Sequence, residues 1–212
     1  IGHSTRRTRL DPDNLILRSR AKHGTARIRA IGIVPRSAYT RSLELDAPVK
    51  DGEVSANLDE DILKIAVLER HHASGNIGLG FIKGLEVEEG AVASTVAHDS
   101  HNLVVAGASE RDMIAAAKVL VEGGGGMVVV RDEETLAYVP LPIAGLMSDK
   151  PVEVVSSQIE QLKDAWVKLG STLPSPYMTL SLTTLSVIPE LRITDKGLLD
   201  AVHFKFVNPV LE

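Results

Sequence analysis

Residues 93–105, ASTVAHDSHNLVV, set His98, Asp99, Ser100, His101 and Asn102 between two apolar, β-branched runs. Imidazoles three positions apart can converge in a tight turn. With Asp99 the set could hold a divalent metal, through imidazole and carboxylate ligands. It could equally bind or protonate a polar small molecule, because histidine titrates near neutral pH. The plain alternative is a hairpin turn in which Asp99, Ser100 and Asn102 bond to local backbone. Such a turn needs no histidine, so the two imidazoles point to function. A second cluster, Arg70-His71-His72-Ala73-Ser74-Gly75-Asn76, also lies between strand-like runs. Adjacent histidines in a strand face opposite sides, so at most one serves a given site unless the chain turns there. For this cluster the plain alternative is a polar surface loop. Two histidine-bearing loops meeting at one end of a sheet would form a strand-end binding site.

Other motifs carry less. Gly123–Gly126 follows a helical pattern and precedes a strand, the reverse of a phosphate-binding loop, and no Gly-Lys-Ser/Thr occurs. It reads as a helix end and flexible connector. Ser148 and Asp149 are placed to cap the helix that follows them. There is no G-x-S-x-G, no H-E-x-x-H and no cysteine. Disulfides, thiolate metal sites and cysteine nucleophiles are therefore excluded, as is the P-C-x-x-C zinc chemistry of the small nucleobase deaminases.

The elements that must position these clusters follow from composition and period. The 212 residues are 44% hydrophobic and 24% charged, enough for a real core. A net charge of −5, with three Phe, three Tyr and one Trp, argues against nucleic-acid binding. No run is long enough to span a membrane, and the absence of cysteine fits a reducing, cytoplasmic setting. The basic segment 1–24 is expected to be an arm or linker from an upstream region, with the domain proper at 25–212. A chain that starts at Ile1 reads as a piece of something longer.

Alternation predicts strands at 25–34, 40–46, 63–69, 77–83, 91–97 and 103–107, with more β-rich sequence at 177–188 and 202–207. Ser109 caps a helix whose apolar face is Met113, Ala116, Ala117, Leu120 and Val121. A second helix begins near Pro151 and carries Val152, Val155, Ile159, Leu162, Trp166 and Leu169 as a stripe closed by Gly170. The expected fold is α+β: a mixed, largely antiparallel sheet or sheets flanked by two main helices.

Residues 70–84 (RHHASGNIGLGFIKG), 93–102 (ASTVAHDSHN), 138–149 (YVPLPIAGLMSD) and 178–200 (MTLSLTTLSVIPELRITDKGLLD) strongly resemble the C-terminal region of bacterial and archaeal adenine deaminases. The resemblance runs over about residues 45–207, with the blocks in the family's order. Those enzymes belong to the amidohydrolase superfamily and convert adenine and water to hypoxanthine and ammonia. Their manganese or iron centre lies in a TIM-like barrel that precedes this region and opens with an H-x-H pair. This chain has no H-x-H and no room for a barrel.

The resemblance therefore implies the terminal domain of a purine-salvage hydrolase, inactive alone and partnered by the amidohydrolase barrel. As such a domain it would meet adenine at the histidine loops and would assemble as a homo-oligomer. The expected site-completing residues are His98, Asp99, Ser100, His101 and Asn102, then Arg70, His71, His72 and Asn76. His98 and His101 remain candidate metal ligands. Two other readings stay open: a non-catalytic assembly or small-molecule-binding domain, and a stand-alone hydrolase with a metal on His71, His72, His98 and His101.

Overall fold

The computed structural model describes residues 10–211. Its strands and helices, in chain order, are β1 (Leu17–Arg18), β2 (His23–Ile33), β3 (Thr40–Lys50), β4 (Glu53–Val54), β5 (Ile62–Leu68), β6 (Ile77–Lys83), β7 (Ala91–Ser94), β8 (Leu103–Gly107), α1 (Glu110–Glu122), β9 (Gly126–Arg131), β10 (Glu134–Pro140), α2 (Val152–Lys168), α3 (Pro176–Leu182), β11 (Leu191–Thr194), β12 (Gly197–Asp200), β13 (Lys205–Val207) and β14 (Val210–Leu211). The main sheet runs β1-β4-β3-β2-β6-β5-β8-β7-β9-β10, with β14 beside β2. All its pairings are antiparallel except β2 with β6. A second sheet is β11-β12-β13. The sheet order is open, with no closed barrel among the described residues. The fold is α+β, as the periodicity predicts.

Every residue of β5 and β8 is buried, because the sheet is covered on both faces. On one face α1 lays Met113, Ile114, Ala116, Ala117 and Leu120 over Ala66, Leu68, Ala93, Val105 and Val128. Ser109 caps α1 by accepting the Asp112 N–H. The other face is filled by Leu162, Ala165, Trp166 and Leu169 of α2, Leu180 of α3, and Leu191, Ile193 and Leu198 of the small sheet. Lys64 lies mid-strand in β5 and pairs with Glu110 in the first turn of α1.

The structure departs from the sequence reading in four places. The β-branched segment 177–188 contains α3, not a strand. Pro176 stands in its first turn, where a fixed φ favours a helix. Tyr177 and Leu180 then face the core, and Trp166 meets the Tyr177 ring edge-on at 4.8 Å. Helix α2 has no side-chain cap: Pro151 occupies the N-cap, and Ser148 Oγ instead accepts the Lys150 N–H. Gly124–Gly126 are buried at a packed corner. A Cβ on Gly125 would lie 2.4 Å from the Gly145 Cα. Of the segment read as an arm, residues 1–9 lie outside the described residues. Leu15 is buried against the α1 layer, and β2 already begins at His23. Among the described residues no helix is long and apolar enough to cross a membrane.

Candidate functional site

The pairing of Leu68 with Leu103, Ser94 with Val104 and with Met127, and Gly126 with Pro140 puts four connections at one end of the sheet. They are residues 69–76, 95–102, 123–125 and 141–151. The sequence-predicted site residues all lie in the first two, and those two loops meet. His71 Nε2 lies 2.7 Å from the Ser100 carbonyl, which can only accept, so that nitrogen carries the proton. The His98 and His101 rings are 5.4 Å apart, edge to face, and those of His71 and His72 are 6.5 Å apart. The chain bends at His71–His72, so both imidazoles reach solvent instead of splitting across a strand.

The nine residues divide by burial. His71, His72, Asn76, Asp99 and Ser100 are exposed, and His98 and His101 are half-buried. Arg70 and Asn102 are buried. Arg70 Nε donates to the His101 carbonyl, and an Nη donates to the Ala144 carbonyl at 2.9 Å. Gly145 leaves room for this guanidinium, since a Cβ there would lie 2.8 Å from Nη1. Asn102 Oδ1 accepts the Arg70 backbone N–H at 3.3 Å. Arg70 and Asn102 therefore hold the loops, and the histidines face outward.

Four supports escaped the sequence reading. Asp195, in the β11–β12 turn, accepts from Asn102 Nδ2 at 3.2 Å and from Asn76 Nδ2 at 3.3 Å, joining both loops. Gly78 makes this possible: a Cβ there would sit 1.8 Å from the Thr194 carbonyl oxygen. The end of α3 grips His98 by its backbone, whose N–H donates to Ser181 O and whose carbonyl accepts from Thr184 Oγ1 at 2.6 Å. Buried Thr95 donates to Gly145 O at 2.6 Å and accepts the Gly126 N–H at 2.8 Å. Glu69 organises the first loop, its carboxylate accepting the N–H groups of His71, His72 and Ser74 and the Ser74 hydroxyl. Glu69 directly precedes the Arg70 cluster in the sequence. Asp195 is 93 residues from Asn102 and no local signal marks it.

His101 and Glu69 both titrate away from their ordinary ranges. Burial, reinforced by the charges of His98 and Arg70, lowers the His101 pKa and favours the neutral ring. Its Nδ1 accepts the Ala97 N–H at 3.2 Å, so the proton sits on Nε2. For Glu69, burial alone would raise the pKa. The hydrogen bonds from Ser74, His72 and His71 outweigh it and hold the carboxyl at about 2, below its ordinary 4.5. A folded-state pKa below the unfolded one contributes stability that is present above pH 4.5 and lost as pH falls toward 2. Thermal unfolding followed across that window should show the loss in the wild type and a shallower slope in Glu69→Gln. Equal slopes would remove Glu69 from the account.

Among the described residues no three His, Cys, Asp or Glu side chains come together as a metal requires. The described residues alone therefore offer no ligand set for the manganese or iron that the resemblance implies. What the loops offer is hydrogen bonding. His101 presents an Nε2–H donor, and His71, with its Nε2–H engaged, keeps Nδ1 as an acceptor.

The sheet is open and covered on both faces, and its polar loops gather at one end. The family described as adenine deaminase C-terminal domain matches residues 37–205. The chain belongs to that family. It is 47% identical over 199 residues to an adenine deaminase of Moorella thermoacetica, covering 94% of this chain and 33% of that protein. It is 44% identical over 207 residues to one from Clostridium botulinum, 97% of this chain and 34% of that protein. With one from Brucella melitensis it shares 48% over 189 residues, 89% and 32% of the two chains. The chain thus spans about a third of the length of the curated relatives it matches.

Proposed function

We propose that this domain completes the active site of a metal-dependent adenine deaminase, presenting its histidine loops to the barrel that precedes it in the full-length protein. The observation that carries the reading is the placement of His71, His98 and His101 on outward-facing loops. Those loops are braced from beneath by Arg70, Asn102, Glu69 and Asp195. His71 and His101 each spend one ring nitrogen on these loops and leave the other for a partner.

The chemistry of the loops matches the substrate class. An adenine edge offers an amino donor beside a ring-nitrogen acceptor. His101 Nε2–H complements the acceptor and His71 Nδ1 the donor. The metal, when bound to the parent enzyme, supplies an activated water, and its ligands belong to the barrel. The side chains of this domain orient the purine and exclude bulk water.

Carbethoxylation of histidines in the full-length protein, with and without adenine, tests the reading. Adenine should slow modification of His98 and His101 and leave His203, on the far β12–β13 turn, unaffected. Equal rates at all three would overturn it.

A further inference from the structure

Strand β13 pairs with β12 on one side, and among the described residues no strand pairs with its other edge. An unpaired edge is a template for another chain. Along it Phe204 is 71% exposed, Phe206 55% and the nearby Val202 53%, with His203 and Lys205 between them. Three large apolar side chains within five residues, beside an open edge, are more than the scattered exposure that soluble surfaces tolerate. Below Phe206 runs a groove of about 340 Å³ walled by Leu17, Ile77, Leu79, Lys196 and Leu198.

The groove adjoins the histidine loops. Ile77 and Lys196 on its wall follow directly on Asn76 and Asp195, which are bonded to each other at the base of those loops. It also adjoins the first described residues. Leu17 lines it, and Leu10 packs in the same apolar cluster as Ile77 and Leu79. In the relatives, about two thirds of the polypeptide lies outside the part matched here, and a C-terminal domain meets that remainder through its N-terminal side. The first described strand, β1, thus borders this groove through Leu17.

We propose that the outer edge of β13, with Phe204, Phe206 and the adjoining groove, is the docking surface for the preceding region of the same polypeptide. This rests on the reading of the chain as a domain that completes that region's site. An edge strand also suits a second copy of the chain. Belonging to one polypeptide gives the preceding region a high effective concentration at this surface, so it wins over a second copy. Lys205 lies between Phe204 and Phe206, and Lys196 borders the groove, so the face they meet is apolar with carboxylates set among it. Docking here sets the histidine loops against the same partner.

Hydroxyl-radical footprinting of the full-length protein, combined with carboxylate–lysine cross-linking on a mixture of isotopically light and heavy copies, tests the proposal. Where an interface core excludes water, Phe204 and Phe206 should label at below about a fifth of their rate in the urea-unfolded protein. Lys196 and Lys205 should link to preceding residues within one isotopic copy. Labelling near the unfolded rate would overturn the proposal. Protection with links only between light and heavy copies would overturn it in favour of a second copy. None of these readouts involves deamination, so this surface and the histidine reading can fail separately.

Discussion

Replacing Arg70 with alanine should destabilise the chain by about 3 kcal/mol and release the histidine loops. Arg70 is 2% exposed, and its guanidinium holds carbonyls from two separate loops, at His101 and Ala144. Hydrogen bonds to a charged donor are worth about 1.5–3 kcal/mol each, and a buried acceptor left bare adds its own desolvation cost. In a chain of this size such a loss corresponds to a fall in Tm of roughly 6–12 °C. Arg70→Lys should recover little of it. An ammonium is a point donor on a flexible stem and cannot span two carbonyls as a planar fork does. Calorimetry gives the first result. Amide exchange at Ala97 and His101, whose loop the guanidinium anchors, gives the second, as a local speeding beyond the global change. A Tm within a degree of wild type in both variants would mean the clamp contributes nothing.

The clamp also marks where sequence reading stops. Strand periods and turn residues placed β6 and β8 at their observed bounds, 77–83 and 103–107. Ser109 and the acidic first turn located α1, because caps and amphipathic stripes are local signals. The meeting of the two histidine loops was legible too, since both clusters closed strands and strand ends gather. Three things were not legible. Helix α3 carries the β-leaning Tyr177 and Thr179, and burial of Tyr177 and Leu180 against the sheet favours the helix over a strand. Within a loop, period two no longer says which side chains turn inward. Arg70 and Asn102 therefore looked like His71 and His98, although the first two are braces and the second two face out. Asp195 acts across 93 residues, a contact fixed by the close approach of β6 to the β11–β12 turn at Gly78 and by nothing in its own neighbourhood.

The outward histidines carry the second large expectation. His98 is held by its backbone, between Ser181 and Thr184, so His98→Ala removes a ring and leaves the loop in place. His101→Ala also removes the acceptor for the Ala97 N–H, a loss of about 1 kcal/mol. A moderate cost in stability is thus expected of the second variant and almost none of the first. If both rings meet substrate in the assembled enzyme, each truncation should cost at least about tenfold in turnover, the loss of one substrate hydrogen bond. That loss corresponds to about 1.4 kcal/mol of the barrier.

The measurement that decides is steady-state ammonia release from adenine by the full-length protein, wild type beside His98→Ala and His101→Ala, at a temperature where calorimetry shows all three folded. A fall of tenfold or more in both variants is the result expected of loops that complete the site. Turnover near wild type in both would leave the histidine face without a part in deamination.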